Sequence, residues 1–136
     1  MEWTKNEYSM NNDPQAVDVE FVESMLRTSY WAPHRERTII ERSLETSVPF
    51  SVFHGTRQIG FARVVSDLVT FAWIADVIVD PRYRSKGIGK WLMDCVMEHP
   101  AVAATSQQLL RTADAHELYA RYGFEVAECM ARKSGR

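Results

Sequence analysis

Apolar positions along this chain switch period more than once, and each switch marks an element. Residues 19–29, VEFVESMLRTS, carry Phe21, Val22, Met25 and Leu26 at helical spacing behind Asp18, a residue suited to capping a helix. Residues 35–47, RERTIIERSLETS, predict a second, more polar helix that turns Ile39, Ile40 and Leu44 to a core, with Pro33 marking the break between the two. From Pro49 to Asp80 the chain is rich in Val, Ile and Phe and is cut by HGTR and SDLVT. That pattern predicts three strands of an antiparallel meander, the last over Phe71 to Val79. Past Gly87 the period becomes helical again: Ile88, Trp91, Leu92, Cys95 and Val96 form one stripe, which Pro100 ends.

The remainder is shorter in period. PAVAATSQ reads as a surface connection, and QLLRT as a short strand. DAHELYARYG reads as a helix capped by Asp114 and stopped at Gly123, with Ala115, Leu118, Tyr119 and Tyr122 on its buried face. The tail FEVAECMARK alternates and predicts one or two further strands, and Tyr8 to Met10 predicts a short one near the start. No repeat or linker divides the chain, so residues 1–136 are expected to form one domain.

Composition narrows the class only modestly. Hydrophobic residues make up 46% and charged residues 25%, as in an ordinary globular protein. A net charge of -2 supplies no global basic field, which argues against a nucleic-acid partner. No apolar run approaches the length of a membrane span, and the start of the chain is polar and acidic rather than leader-like, so a cytoplasmic protein with no membrane partner is expected. Cys95 and Cys129 lack metal-site spacing; they read as free thiols, and neither zinc nor a disulfide is expected.

The junction VDPRYRSKGIGKWL concentrates the candidate chemistry. A strand that ends where a helix begins leaves backbone N-H groups without intrahelical partners, and these favour an anion. Gly87 and Gly89 let a ligand approach the backbone, while Arg82, Arg84, Lys86 and Lys90 add positive charge, a combination suited to a diphosphate. A Walker loop would need Gly at position 84 and Ser or Thr at 91, where the chain has Arg84 and Trp91. A dinucleotide fingerprint from Gly87 would need Gly or Ala at 92, where it has Leu92.

What remains, Arg84, two residues, Gly87, one residue, Gly89, resembles the signature of the GCN5-related N-acetyltransferase (GNAT) superfamily, Gln or Arg, two residues, Gly, one residue, then Gly or Ala, and VIVDPRYRSKGIGKWL matches it after a Val-rich strand. DAHELYARYGFE, downstream, resembles that family's Tyr and Gly-Phe segment. The resemblance extends from Asp18 to Phe124. It implies an α/β (α+β) fold: a mixed, mostly antiparallel sheet of six to seven strands, with parallel strands 4 and 5 splayed apart and four flanking helices. It also implies an acetyl-CoA-dependent N-acetyltransferase acting by direct amine attack in a ternary complex, with no metal. The acceptor would be a small-molecule amine. A non-catalytic acyl-CoA sensor and a peptide or protein acetyltransferase stand as alternatives, and the family's C-terminal strands allow a homodimer.

Roles carry over by position. Backbone N-H groups of Arg84, Ser85, Lys86, Gly87, Ile88, Gly89 and Lys90 would hold the pyrophosphate. Val77 and Val79 would pair through their main chain with the pantetheine arm, and the N-H of Val77 or Ile78 would polarise the thioester oxygen. Tyr119 would hydrogen-bond the leaving thiolate; full proton transfer from a phenol of pKa about 10 to a thiolate of about 8.5 is uphill by roughly 2 kcal/mol. Many family members have Asn where this chain has Thr112, so a cofactor contact there would come from a hydroxyl. Asp76 is the candidate base, although strict alternation sets it opposite Trp73, Val77 and Val79 unless a bulge intervenes. A structural carboxylate is its other reading. Tyr30, Trp31 and Trp73 could wall an aromatic acceptor pocket, with ordinary packing as the alternative.

Overall fold

The computed structural model describes residues 1–135. Its centre is a six-stranded sheet in the order β1 (Glu2–Lys5), β2 (Tyr8–Asn11), β3 (Val48–His54), β4 (Arg57–Ser66), β5 (Phe71–Val79) and β6 (Gln107–Leu110). Every neighbouring pair is antiparallel except β5 and β6, which run parallel. The expected mixed sheet with one parallel pair is therefore present. A first strand ahead of Tyr8, absent from the sequence reading, moves that pair from fourth and fifth place to fifth and sixth.

Helices cover both faces. On one side α1 (Val19–Leu26) and α2 (Arg37–Leu44) bury Val22, Leu26, Ile40 and Leu44 against Phe61 and Ile78. Asp18 caps α1, accepting from the N-H of Phe21 at 3.2 Å. Ile39, expected in the core, is 47% exposed, because Ile40 and Leu44 occupy the single buried stripe that a two-turn helix offers. On the other side α3 (Ile88–Glu98) buries Ile88, Leu92, Met93, Cys95 and Val96 with Phe50, Val52, Val64 and Ile74.

Three other expectations change. Pro100 does end α3, but residues 100–103 are a further short helix, α4, with Ala101 and Val102 buried. Proline suits a first helical position, and the His99 ring caps the turn by accepting from the Ala101 N-H at 3.1 Å. The last helix, α5, spans only His116–Ala120 and has no side-chain cap: Ala115 rather than Asp114 holds the capping position, and Thr112 Oγ1 accepts from the Ala115 N-H at 2.9 Å in the turn just before the helix. The tail forms no strand among the described residues, because Val126 (88% exposed) and Met130 (99% exposed) bury nothing that would hold it against the sheet. The described residues thus hold five α-helices where four were expected, and six strands.

Candidate active site

The site is built by two irregularities in β5. The first is where its partner leaves. Parallel pairing with β6 runs only from Phe71–Gln107 to Ile74–Leu110, while β5 continues to Val79 with no strand on that edge. A V-shaped gap opens beyond Ile74 and Leu110. It belongs to a cavity of about 820 Å³ lined by residues 73–79 of β5, by residues 110–115, and by Arg84, Gly89, Leu118 and Tyr119.

The second is a bulge. Arg63 pairs with Ala75 and Phe61 with Ile78, so three steps on β5 face two on β4. Asp76 supplies the extra residue in a left-handed conformation, φ 53°. The facing of β5 changes across it: Ala72 and Ile74 lie in the α3-side core, and so do Val77 and Val79, whereas Ile78 joins the α1–α2 side. Asp76 thereby turns into the same cavity as Trp73, which is the bulged alternative to strict alternation.

Asp76 is buried and accepts three hydrogen bonds: Trp31 Nε1 to Oδ1 at 2.9 Å, and Arg35 Nη1 and Arg63 Nε to Oδ2 at 2.8 and 2.9 Å. These bonds hold a left-handed non-glycine residue that costs on the order of 1–2 kcal/mol by itself. Tyr30 and Trp31 sit in the α1–α2 loop, their rings edge to face with centroids 5.1 Å apart. Trp31 ties that loop to β5, and Tyr30 Oη accepts from the Ala113 N-H at 2.9 Å on the far side of the gap. The aromatic pair thus bridges the two diverging segments, and Trp73 lines the cavity beneath.

At the C-terminal end of β5 the chain turns through Pro81–Tyr83 into α3. Ser85 and Gly87 are left-handed, φ 65° and 79°. Trp91 donates the first intrahelical bond to Gly87 O, so the N-H groups of Ile88, Gly89 and Lys90 have no acceptor in the helix. Arg84 differs from these three in that its N-H donates to Pro81 O at 3.4 Å. Two of the four basic side chains are engaged elsewhere: Arg82 folds onto buried Asp80 and Lys90 pairs with Asp94. A Cβ added at Gly87 would meet nothing within 4 Å, and one at Gly89 only Val79 Cγ2 at 3.8 Å. Packing within the protein therefore does not require glycine at 89. The residues fit a pyrophosphate.

Tyr119, on α5, is 9% exposed, and its hydroxyl has no hydrogen-bond partner among the described residues. Burial, then the nearby Tyr30 and Asp114, raise its pKa above the usual phenol value and keep the proton on. Tyr122 fastens α5 to α3 through Asp94 Oδ1 at 2.7 Å. Thr112 lines the cavity, its hydroxyl accepting from the Ala115 N-H.

A model of the acetyltransferase (GNAT) domain matches residues 47–126. The chain belongs to the GNAT acetyltransferase family. A GNAT-family structure from Xanthomonas campestris pv. campestris is 36% identical, covers 93% of each chain and superposes with a TM-score of 0.88. A structure from methicillin-resistant Staphylococcus aureus, described as a probable acetyltransferase, is 21% identical, covers 93% of this chain and 99% of that one, and has a TM-score of 0.75; it speaks to the fold. A curated acetyltransferase relative from Gibberella zeae is 24% identical, and the match takes in 71% of this chain and 66% of the relative, just under two thirds of its length.

Two residues of this GNAT site escaped the sequence reading. Arg63 carried a signal, since it is the one charged residue in the apolar run IGFARVV and a buried charge needs a partner. Arg35 carried none: nothing local says that the α1–α2 loop will bring it to a carboxylate on β5.

The two thiols separate cleanly. Cys95 is buried in α3 and its pKa is pushed up to about 11, by burial first and then by Glu98 and Asp94, whereas Cys129 is exposed. A thiol reagent at neutral pH is expected to label one cysteine of the native protein, Cys129 by peptide mass spectrometry, and the second only after denaturation.

Proposed function

We propose that this protein transfers an acetyl group from acetyl-CoA to the amine of a small molecule by direct attack in a ternary complex. The observation that carries the reading is the gap beyond Ile74, with a glycine cradle at one end and an unengaged, protonated Tyr119 hydroxyl on its wall. Backbone N-H groups from Ser85 to Lys90 bind the pyrophosphate, and the free edge at Val77 to Val79 receives the pantetheine arm. The thioester supplies an activated acetyl group to the amine nitrogen. The N-H of Val77 or Ile78 donates to its oxygen, and Tyr119 donates to the departing sulfur, an interaction that strengthens as charge develops there.

We read Asp76 as a positioning residue rather than the base. Both its oxygens already accept from an indole and two guanidiniums, so taking a proton from the amine would disrupt that network. The acceptor then reacts as the fraction that is already free amine. For an alkylamine of pKa about 10.4 that fraction grows tenfold per pH unit near neutrality. Under this reading kcat/KM rises with unit slope on the acid side, and the limb moves with the pKa of the acceptor. Tyr119 stays protonated across this range, because its pKa lies above the ordinary phenol value; its loss of a proton depresses activity only at still higher pH.

Release of free CoA across an amine panel, with calorimetry for donor binding, tests the proposal. Tight acetyl-CoA binding with no amine turned over would replace the enzyme by an acyl-CoA sensor. Turnover of lysine peptides in preference to small amines would replace the acceptor class, and sedimentation settles the proposed homodimer.

A further inference from the structure

The acceptor half of the cavity carries a charge imbalance that acetyl transfer alone does not explain. Two arginines converge on one carboxylate: Arg35 and Arg63 both donate to Asp76 Oδ2, at 2.8 and 2.9 Å. Their side chains are only 26% and 16% exposed, and that of Asp76 only 5%. The cluster therefore holds one more positive charge than negative in a place with little water. Burying a guanidinium without a matching anion costs several kcal/mol.

Part of the donor capacity is unused. Arg63 gives Nε to Asp76 and Nη1 to Ser47 Oγ at 3.1 Å, which leaves its Nη2 without an acceptor among the described residues. Arg35 gives only Nη1, leaving its Nε and Nη2. No nitrogen of either side chain is sealed away from both solvent and partners, and both residues line the cavity. The unused N-H groups are therefore reachable by a ligand. The Asp76 bonds hold both guanidiniums in place, a pre-ordering that raises affinity for a planar or tetrahedral oxyanion.

The arginines do not belong to the pyrophosphate cradle. Arg63 lies between Ala62 and Val64, which face the α3 side, and so it points to the opposite face, where α1 and α2 pack. Arg35 comes from the loop between those two helices. The cradle, by contrast, is the N-terminus of α3. Trp31 and Trp73 border the arginine pair in the same cavity and give the rest of the acceptor an apolar wall. A polyamine or a lysine-rich peptide would bring more positive charge to this corner, against Coulomb repulsion in poor solvent.

The geometry points to an acceptor amine that also carries an anionic oxyacid group, a carboxylate or a phosphate, held by Arg35 and Arg63 with its carbon skeleton against Trp31 and Trp73. This rests on the acetyltransferase reading above and names the substrate class of that same site. It makes Arg35 and Arg63 specificity residues, each worth one charged hydrogen-bond set to the acceptor and nothing to the donor.

Matched acceptor pairs test it on the full-length protein: phenylalanine against phenethylamine and phenylalaninamide for the carboxylate, and phosphoethanolamine against ethanolamine for the phosphate. The anionic member of at least one pair is expected to show a kcat/KM at least about tenfold higher, and which pair does so distinguishes carboxylate from phosphate. Arg35→Gln should raise KM for that acceptor about 10- to 100-fold, erase its advantage over the neutral partner, and leave KM for acetyl-CoA within about twofold. Arg35→Lys should recover part of the loss by restoring the charge. Arg35 is the primary site because it is the more exposed of the two, and wild-type pair preferences stand even if Arg63→Gln fails to fold. Equal or better turnover of the neutral members overturns this inference and leaves acetyl transfer intact, as does a rise in acetyl-CoA KM with no change for the acceptor. Absence of turnover on every amine overturns both.

Discussion

Replacing Tyr119 with phenylalanine is expected to lower kcat about 100-fold while the protein folds as before and binds acetyl-CoA with nearly unchanged affinity. The hydroxyl has no partner among the described residues, so removing it orphans no donor or acceptor there, and the structural cost is small. The ring keeps its edge contact with Phe124, centroids 6.1 Å apart, and its place in the α3-side core. What is lost is one donor aimed into the gap, in surroundings that keep it protonated. Under the proposed role the effect belongs at the low end of the general-acid range, because a phenol is a weaker acid than the departing thiol and would stabilise the developing thiolate by hydrogen bonding rather than by complete transfer. Steady-state kinetics with a melting curve on the same sample check it. A kcat within about threefold of the parent would return Tyr119 to the status of a core aromatic, whatever happened to KM.

The fold was largely legible because its signals are periodic. Phe50 and Val52, or Ile88, Leu92 and Val96, repeat at the spacing of the faces they bury, and Asp18 and Gly123 punctuate helices through chemistry that acts over three or four residues. The glycine junction was legible for the same reason: its left-handed turn and its free N-H groups belong to consecutive residues. The acceptor corner was not. Its register depends on one inserted residue, Asp76, and its charges come from the α1–α2 loop and from β4, brought together over 41 and 13 residues of sequence. Alternation within one strand cannot report a bulge that the partner strand and two arginines stabilise. The tail misled in the opposite way, since alternation in EVAECM resembles a strand, yet Val126 and Met130 lie exposed and the segment forms no strand among the described residues.

Gly89→Ala separates the needs of the fold from those of the ligand more sharply than any other single change. Gly89 is the second residue of α3, its φ is not left-handed, and an added methyl would meet only Val79 Cγ2 at 3.8 Å, an ordinary contact. Alanine is the better helix former, so the free protein should be as stable as the parent or more stable by up to about 1 kcal/mol. The same methyl stands on the cavity surface beside the N-H groups of Ile88, Gly89 and Lys90, where a diphosphate must come within hydrogen-bond distance of the backbone. The resemblance that places the diphosphate here admits alanine at this position, so acetyl-CoA affinity is expected to stay within about threefold, less than the loss of one charge-assisted bond. Calorimetric titration with acetyl-CoA should therefore hold steady while thermal melting without it shifts upward. A loss of affinity beyond about tenfold would mean that the diphosphate presses closer on this turn than a methyl allows, and the placement of the donor in the gap has to be revised. A fall in both would instead mean that Val79 cannot yield the little space it has, a result that Val79→Ala in the same background would reverse for stability alone.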